Sequence, residues 1–125
     1  MRKVDVLRVL LVDADPDRKR RISLLKENGL TVYPALDLRQ ARERCKPGSY
    51  DLIIVNARGN PYPALELCDD ILSKDHEQLL LLMTAPEVQL PHRDYLVSSV
   101  PEELVNRANG LLASRHRPVA KSLVA

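Results

Sequence analysis

The sequence predicts an α/β domain in which a parallel sheet carries helices on both faces. Short, strongly apolar runs such as Leu52–Val55 and Gln78–Thr84 are typical of strands that are buried on both faces of a sheet. Between such runs lie segments with apolar residues at three- and four-residue spacing, which is typical of helices that cover a sheet. Strands that alternate with helices along the chain favour right-handed parallel crossovers.

The composition indicates one domain without a membrane span. The chain has 125 residues, 45% of them hydrophobic, and no Phe or Trp, so Leu, Val and Ile must fill the core. The formal net charge of +2 is too small to indicate a nucleic-acid partner. No apolar run approaches the roughly 18 residues of a transmembrane helix, and Met1–Asp5 lacks the apolar region of a signal peptide, so neither is expected. We therefore expect a cytoplasmic protein in which Cys45 and Cys68 are buried free thiols.

An acid and a proline mark the junction of the first strand and the first helix. Arg8–Asp13 is predicted to be a buried strand that ends in an acidic residue. Asp15 and Pro16 suit the N-cap and the first position of a helix that runs to about Asn28 and is stopped by Gly29. This helix carries the basic run Arg18–Arg21, which we interpret as a solvated face, with an anion site as the alternative.

Two further strands flank a second helix. Thr31–Ala35 is expected near a sheet edge, since Pro34 cannot donate a ladder hydrogen bond. Asp37 is the expected N-cap of the helix, and the turn-forming run Lys46–Ser49 ends it. The apolar strand that follows is expected at the centre of the sheet. Its last residue, Asn56, then points into the crevice where open α/β sheets hold their chemistry.

The second half of the chain contains two more strands and two more helices. A helix is predicted from about Ala64 to Lys74, and the strand Gln78–Thr84 follows it. Tyr95–Ser98 is predicted to be a fifth strand, and Pro101 opens a last helix that ends near Ser114. Residues 1–114 should form the domain, and residues 115–125 a flexible basic tail without periodicity.

The connection between the last two strands is too short for an ordinary crossover. Ten residues separate Thr84 from Tyr95, and Pro86 and Pro91 are among them. A parallel crossover takes about a dozen residues or more, usually with a helix, and two prolines oppose two stable helical turns. The fourth helix of the fold should therefore be short or missing.

A missing helix predicts an interaction face on the sheet. Strand residues Leu80, Leu82 and Leu96 should lie under thin cover, and exposed apolar patches beside a strand edge are typical of interaction sites. We expect self-association or a protein partner here. The alternative is that Val88, Leu90 and the prolines Pro86 and Pro91 fold back as a plug over the same face.

Several short motifs resemble the receiver domain of bacterial response regulators, from Arg8 to about Leu112. That family has an acidic pair after strand one, a phosphoacceptor Asp ending strand three, a later Glu-Leu pair, Thr-Ala after strand four, and Asp-Tyr-Leu-x-Lys-Pro at strand five. The matching residues, in the same order, are Asp13–Ala14–Asp15, Asn56, Glu66–Leu67, Thr84–Ala85 and Asp94–Tyr95–Leu96–Val97–Ser98–Ser99. The resemblance implies a doubly wound, flavodoxin-like (CheY-like) five-stranded parallel sheet in the order 2-1-3-4-5.

The resemblance also implies a site whose chemistry this chain has lost. In the family a carboxylate attacks the phosphoryl group of a histidine kinase, while Mg²⁺ sits on the acidic pair and a Lys neutralises developing charge. Here Asn56 replaces the acceptor, Ala14 the metal-binding acid and Ser98 the Lys. We expect no phosphoryl transfer and no cofactor, with Mg²⁺ binding lost or weak and Asp13 its weak candidate ligand. The degenerate pocket comprises Asp13, Ala14, Asp15, Asn56, Thr84 and Ser98.

Two residues match the part of the family that transmits phosphorylation to the surface. Thr84 corresponds to the hydroxyl and Tyr95 to the aromatic side chain of that switch. Both are also ordinary strand residues, so a retained switch and a purely structural role are both open.

The leading functional hypothesis is a non-enzymatic pseudo-receiver of a two-component or phosphorelay system that acts on a protein partner or as a homodimer. The alternative is an atypical receiver that senses an ion or small anion at Asp13, Asn56 and Thr84. An enzyme is the third possibility, but no nucleophile–base pair can be assembled. Neither a nucleic acid nor a membrane is expected as a partner.

Overall fold

The computed structural model describes residues 7–57, 60–85, 90, 93–98 and 100–115. Five strands alternate with helices in these residues. The strands are β1 (Arg8–Val12), β2 (Thr31–Ala35), β3 (Leu52–Asn56), β4 (Leu79–Thr84) and β5 (Leu96–Ser98). The helices are α1 (Arg18–Glu27), α2 (Leu38–Arg44), α3 (Tyr62–Lys74) and α4 (Pro101–Arg115). None of the described helices is long and apolar enough to cross a membrane.

All strand pairs are parallel, and the sheet order is β2-β1-β3-β4-β5. The predicted doubly wound topology is therefore confirmed, with β3 at the centre and β2 at an edge. Leu52, Ile53, Ile54 and Val55 are all buried, as expected for a strand that is covered on both faces. Because parallel strands end at the same edge, residues 13, 56 and 84 are brought to one side of the sheet.

Side chains that alternate along the strands form two hydrophobic cores. Leu10, Ile53 and Leu82 belong to the core that also contains buried residues of α2 and α3. Leu11, Ile54 and Leu81 belong to the other core, which contains buried residues of α1 and α4. Helices thus cover both faces of the sheet, as the sequence predicts.

Of three helix ends predicted from the sequence, the start of α2 and the end of α1 are confirmed, and the start of α1 is not. The Asp37 side chain accepts a hydrogen bond from the Gln40 N–H at 2.8 Å, which confirms it as the N-cap of α2. At the end of α1, the N–H groups of Gly29 and Leu30 donate to the carbonyls of Lys26 and Leu25. With Gly29 at φ +85°, this pattern is a Schellman motif that satisfies the last carbonyls of the helix.

The predicted N-cap of α1 is wrong, because Asp15 lies too early in the chain. The N-cap position is Asp17, and the helix begins at Arg18. Asp15 Oδ1 accepts from the Asp17 N–H at 3.0 Å, while the Asp15 carbonyl accepts from the Arg18 N–H at 3.0 Å. The Asp15 side chain therefore forms a local turn that includes Pro16 and precedes the helix.

The connection between β4 and β5 contains no helical residue in its described part, which is residues 85, 90 and 93–95. The remaining residues of that connection, Val88 among them, lie outside the described residues, and so does the predicted tail from residue 116 onward. α4 continues one residue beyond the predicted end, to Arg115.

The expected thin cover over β4 is wrong for the two leucines that were to be exposed. Leu80 is 4% exposed and Leu82 is fully buried. The two leucines are covered because Tyr95 is buried in the same core. Leu90 and Leu96 pack against this core as partly buried residues. The position of Leu90 against this core is what the alternative of a plug predicts.

Candidate functional site

The carboxyl end of the sheet brings together three of the six predicted pocket residues, Asp13, Ala14 and Asn56. Asp13 follows β1, and Asn56 ends β3. Asn56 Nδ2 donates a hydrogen bond to Asp13 Oδ1 at 2.9 Å. Both residues line a pocket of about 190 Å³ at this edge, together with Val12, Ala14, Leu36, Asp37, Leu38, Ala57, Asn60 and Ala64.

A buried ion pair occupies the acidic side of the site. Arg21 Nε donates to Asp13 Oδ2 at 2.6 Å, and Arg21 Nη2 donates to Asp13 Oδ1 at 3.2 Å. The Asp13 side chain is fully buried, and the Arg21 side chain is 6% exposed. This two-point contact between guanidinium and carboxylate is the strong, orientation-specific form of a charge pair.

The protein itself donates four hydrogen bonds to the Asp13 carboxylate, three to Oδ1 and one to Oδ2. Besides Arg21 and Asn56, the main-chain N–H of Asp15 donates to Asp13 Oδ1 at 3.0 Å. The Asp15 carboxylate lies 3.6 Å from Arg21 Nη2, so it adds a second negative charge beside the guanidinium. Among the described residues, no buried side-chain nitrogen or oxygen lacks a hydrogen-bond partner.

The pKa of Arg21 reflects burial and three neighbouring carboxylates. Burial, the largest single effect, lowers the pKa of the guanidinium, but the hydrogen bond to Asp13 and the charges of Asp13, Asp15 and Asp17 together raise it by more. The net result is a pKa above the ordinary value for arginine, so Arg21 stays charged. The site therefore contains a permanent internal cation.

The sequence pattern did not predict this role of Arg21. Lys19 and Arg20 are exposed, as a solvated face requires, but the same interpretation is wrong for Arg21. A signal existed in the helix periodicity, because Arg21 lies four residues before Leu25 and both are the buried residues of α1. A buried carboxylate such as that of Asp13 needs a cation beside it. The family's Lys could not supply that cation, because this chain has Ser98 at the matching position.

Three other predicted residues stand apart from the pocket. Asp15 and Thr84 are half-buried and do not line it. Ser98 does not line it either, and its Oγ accepts a hydrogen bond from the Val100 N–H at 3.1 Å. Ser98 thus helps to form the turn between β5 and α4.

The second predicted feature, Tyr95, belongs to a polar cluster around Asp69, which lies near the middle of α3. Tyr95 is buried, and its hydroxyl donates to Asp69 Oδ1 at 2.8 Å. Arg93 donates to both carboxylate oxygens of Asp69, at 3.3 and 3.1 Å. The hydrogen bond from Arg93 lowers the pKa of Asp69; burial opposes it, and the hydroxyl of Tyr95 lowers the pKa further.

This cluster ties the segment before β5 to α3. No sequence motif had identified Asp69 or Arg93 as part of it. Burial, followed by the hydrogen bond to Asp69, raises the pKa of the Tyr95 phenol above its ordinary value. The inward position of Tyr95 is therefore held by a defined contact. A switch through Thr84 and Tyr95 stays a prediction.

The donor set does not fit the Mg²⁺ that the resemblance implies. Mg²⁺ needs hard oxygen ligands in near-octahedral geometry, and both oxygens of Asp13 already accept from Arg21. Across the described part of the chain, no group of three or more His, Cys, Asp and Glu residues is placed to hold a metal ion.

Comparison with known proteins gives matches in structure but not in sequence. No protein-family model matches the chain, and no curated protein matches it. A receiver domain of a Francisella response regulator matches with a TM-score of 0.74 and 18% identity, over 87% of this chain and 98% of that one.

Two other solved structures give the same result. A chain from the structure of the histidine kinase ThkA in complex with the response regulator TrrA matches with a TM-score of 0.71 and 24% identity. The match covers 86% of this chain and 99% of that one. An orphan response regulator of H. pylori matches with a TM-score of 0.68 and 18% identity, over 85% and 96%. The chain therefore has the CheY-like fold of response-regulator receiver domains.

Proposed function

We propose that this protein is a pseudo-receiver, a signalling domain with the receiver fold that acts through protein contacts and does not transfer phosphoryl groups. The observation that carries the proposal is the Arg21–Asp13–Asn56 network at the carboxyl end of the sheet. In this network a cation and a neutral amide stand at the positions that, by resemblance to the family, would hold the metal ion and the nucleophile of phosphoryl transfer.

With Asn56 in place of the family's Asp, the site has an amide instead of a carboxylate nucleophile. A carboxylate can attack a phosphoryl group, whereas an uncharged amide cannot do so at useful rates. The Asn56 nitrogen Nδ2 also donates a hydrogen bond to Asp13 Oδ1 at 2.9 Å. The side chain thus serves as a hydrogen-bond donor that stabilises the buried acid.

Arg21 supplies the positive charge that a metal would otherwise bring. A divalent cation at Asp13 would have to displace the guanidinium, which makes two hydrogen bonds to that carboxylate. The displaced Arg21 would then lose both bonds from a position that is 6% exposed. Ion sensing, the alternative hypothesis, is disfavoured for cations on this ground. It gains no support for anions, because Asp13 and Asp15 already neutralise Arg21.

The receiver fold supports a protein as the partner. One of the matched structures is a response regulator in complex with a histidine kinase. By analogy we propose a two-component or phosphorelay pathway in which this chain binds another protein or a second copy of itself. Because the fold hosts many functions, this pathway assignment rests on analogy.

The test is intact-mass spectrometry after incubation with acetyl phosphate and Mg²⁺. We expect no phosphoryl adduct on the wild-type protein. The Asn56→Asp variant should also label poorly, because Arg21 still occupies Asp13 and neither Ala14 nor Ser98 restores the lost charges. A matched Asn60→Asp variant, changed at an exposed position of the same pocket, controls for surface labelling. A phosphoryl adduct on wild-type Asp13 or Asp15 would overturn the proposal.

A further inference from the structure

A cavity of about 150 Å³ lies between α2 and α3 at the amino end of the sheet. Its lining includes Cys45 at the end of α2, Ile71 in the second half of α3 and Ile53 near the start of β3. Asp13 and Asn56 line the pocket at the carboxyl end of the same sheet. The cavity is therefore separate from the candidate site.

The cavity exists because α2 is shorter than the strand beside which it packs. With 7 residues α2 is about 10 Å long, and with 13 residues α3 is about 20 Å long. The five residues of β3 span about 16 Å. After α2 the chain turns away, and the Ser49 N–H donates to the Lys46 carbonyl at 3.0 Å. The space between this turn, the amino end of β3 and the second half of α3 stays open.

The exposure of the lining residues distinguishes a floor from a rim. Ile53 and Leu67 are 2% and 1% exposed, so they form an apolar floor. Arg42, Lys46 and Lys74 are exposed, so they form a basic rim. A molecule in this cavity would therefore meet apolar side chains at its inner end and positive charges at its outer end.

Gln78 adds one oriented polar group to the floor, where it is 7% exposed. Its Nε2 donates to the main-chain carbonyls of Tyr50 at 3.1 Å and Leu79 at 3.0 Å, which fixes the orientation of the amide. Its Oε1 accepts no hydrogen bond from a described residue, yet no fully enclosed side-chain oxygen in the described part of the chain lacks a partner. Oε1 is therefore open to a donor that enters from outside. Gln78 also borders the groove beside β4, whereas Cys45 lines only the cavity.

The rim carries more positive than negative charge. Arg42 Nη1 donates to Asp70 Oδ2 at 2.9 Å, so these two charges compensate each other. The other charged groups of the lining are Lys46, Lys74 and Asp75. Neither lysine forms an ion pair with another described residue. Two ammonium groups thus face one carboxylate, and the excess favours an anionic group at the mouth of the cavity.

We propose that this cavity binds a small apolar monocarboxylate that carries one hydrogen-bond donor, of the class of hydroxylated aromatic acids. The carboxylate would lie between Lys46 and Lys74, the ring would pack on Ile53 and Leu67, and the hydroxyl would donate to Gln78 Oε1. A cavity of about 150 Å³ holds one aromatic ring. The inference goes beyond the proposed function and does not depend on it.

The experiment titrates para-hydroxybenzoate into the intact protein and follows the main-chain amides by NMR. Saturable shifts are expected at Lys46, Ile71 and Gln78. Two related compounds separate the contacts, because para-hydroxybenzyl alcohol lacks the carboxylate and para-methoxybenzoate lacks the donor. Each should bind about five- to tenfold more weakly than the parent acid.

The two cysteines report independently on where the compound binds. Cys45 is half-buried and lines the cavity, whereas Cys68 is fully buried and does not line it. Saturating para-hydroxybenzoate should slow the alkylation of Cys45 by iodoacetamide several-fold, and Cys68 should stay unreactive with and without the compound. Burial raises the pKa of the Cys45 thiol against the charge of Arg42, so the reaction is run at about pH 9.

A pair of lysine variants tests the rim. Lys74→Gln should weaken the binding of para-hydroxybenzoate about two- to fivefold and leave the binding of the alcohol unchanged. Lys26→Gln is the matched control, since Lys26 is also an exposed lysine in the last turn of a helix but does not line the cavity. It should change neither affinity.

The proposal is overturned if para-hydroxybenzoate gives no saturable shifts at about 10 mM or leaves the alkylation of Cys45 unchanged. Shifts confined to Leu72 and Leu111, in the groove beside β4, would overturn it as well. Equal affinities for the acid and the alcohol, or equal effects of the two lysine variants, would do the same. The compound series needs no protein variant, so it decides the matter even if Lys74→Gln does not fold. Phosphoryl labelling would refute the proposed function alone, because that site lies at the other end of the sheet.

Discussion

Replacing Arg21 with Met should strongly destabilise the protein. The variant keeps most of the apolar stem of the side chain and removes the guanidinium, which leaves the fully buried Asp13 carboxylate with donors from Asn56 and Asp15 only. Removal of one partner of a buried ion pair costs about 3–5 kcal/mol, because the other charge stays buried without compensation. Since single domains are stable by about 5–15 kcal/mol, this is a large fraction of the total.

The assay is urea denaturation followed by far-UV circular dichroism at about pH 7. Arg20→Met is the matched control, because Arg20 is the preceding residue of α1 and pairs with Glu102 at 2.9 Å, but the two side chains are 67% and 60% exposed. An exposed pair of this kind contributes about 0–1 kcal/mol. The two variants therefore make the same chemical change at buried and exposed positions.

A double variant identifies the cause of the loss. Arg21→Met combined with Asp13→Asn should be about 1–3 kcal/mol more stable than Arg21→Met alone, because no charge is left buried. The reasoning is refuted if Arg21→Met and Arg20→Met have equal effects on the free energy of unfolding. It is also refuted if the Asp13→Asn change further destabilises the Arg21→Met protein.

Three further predictions concern other parts of the molecule. Because the pKa of Asp69 is lowered in the folded state, its contribution to stability is present above the unfolded pKa of about 3.9 and is lost as the pH falls below it. Thermal melts should show that Asp69→Asn reduces this acid sensitivity. The raised pKa of Tyr95 gives the opposite sign, so stability should fall as the pH rises past about 10, and Tyr95→Phe should reduce that loss in alkaline denaturation curves. Gly29→Ala should destabilise by about 1 kcal/mol because its φ is +85°, whereas Gly110→Ala inside α4 should stabilise by about 0.5–1 kcal/mol in urea titrations. Opposite signs in any of these three comparisons would contradict the corresponding argument.

The sheet could be predicted from local patterns because burial on both faces leaves a strong signal. The run Leu52–Val55 is apolar without alternation, which is typical of a central parallel strand and identifies β3 correctly. Edge position of β2 followed from Pro34, and the ends of α1 and α2 followed from Gly29 and Asp37. Each of these features depends on a few neighbouring residues.

The site could be predicted only in part, because its decisive contact joins distant residues with ambiguous local patterns. Asp13 and Asn56 follow from their positions at strand ends, and the structure joins them by a hydrogen bond. Arg21 sits inside a basic run that a solvated helix would also show, so its burial depends on the packing of α1 against the sheet. The tether from Asp69 to Tyr95 spans α3 and the segment before β5, and no spacing rule connects them.

The most direct test of the central claim is a Mg²⁺ titration of the wild-type protein followed by NMR. The claim is that Arg21 takes the place of the metal at Asp13, so the main-chain amides of Asp13 and Asn56 and the Nε–H of Arg21 should not shift at millimolar Mg²⁺. The Nε–H of Arg21 should also exchange slowly, because it is buried and bonded to Asp13 at 2.6 Å. Saturable shifts at Asp13 and Asn56, with loss of the slow Nε–H signal, would show that Mg²⁺ displaces Arg21 and would contradict the account.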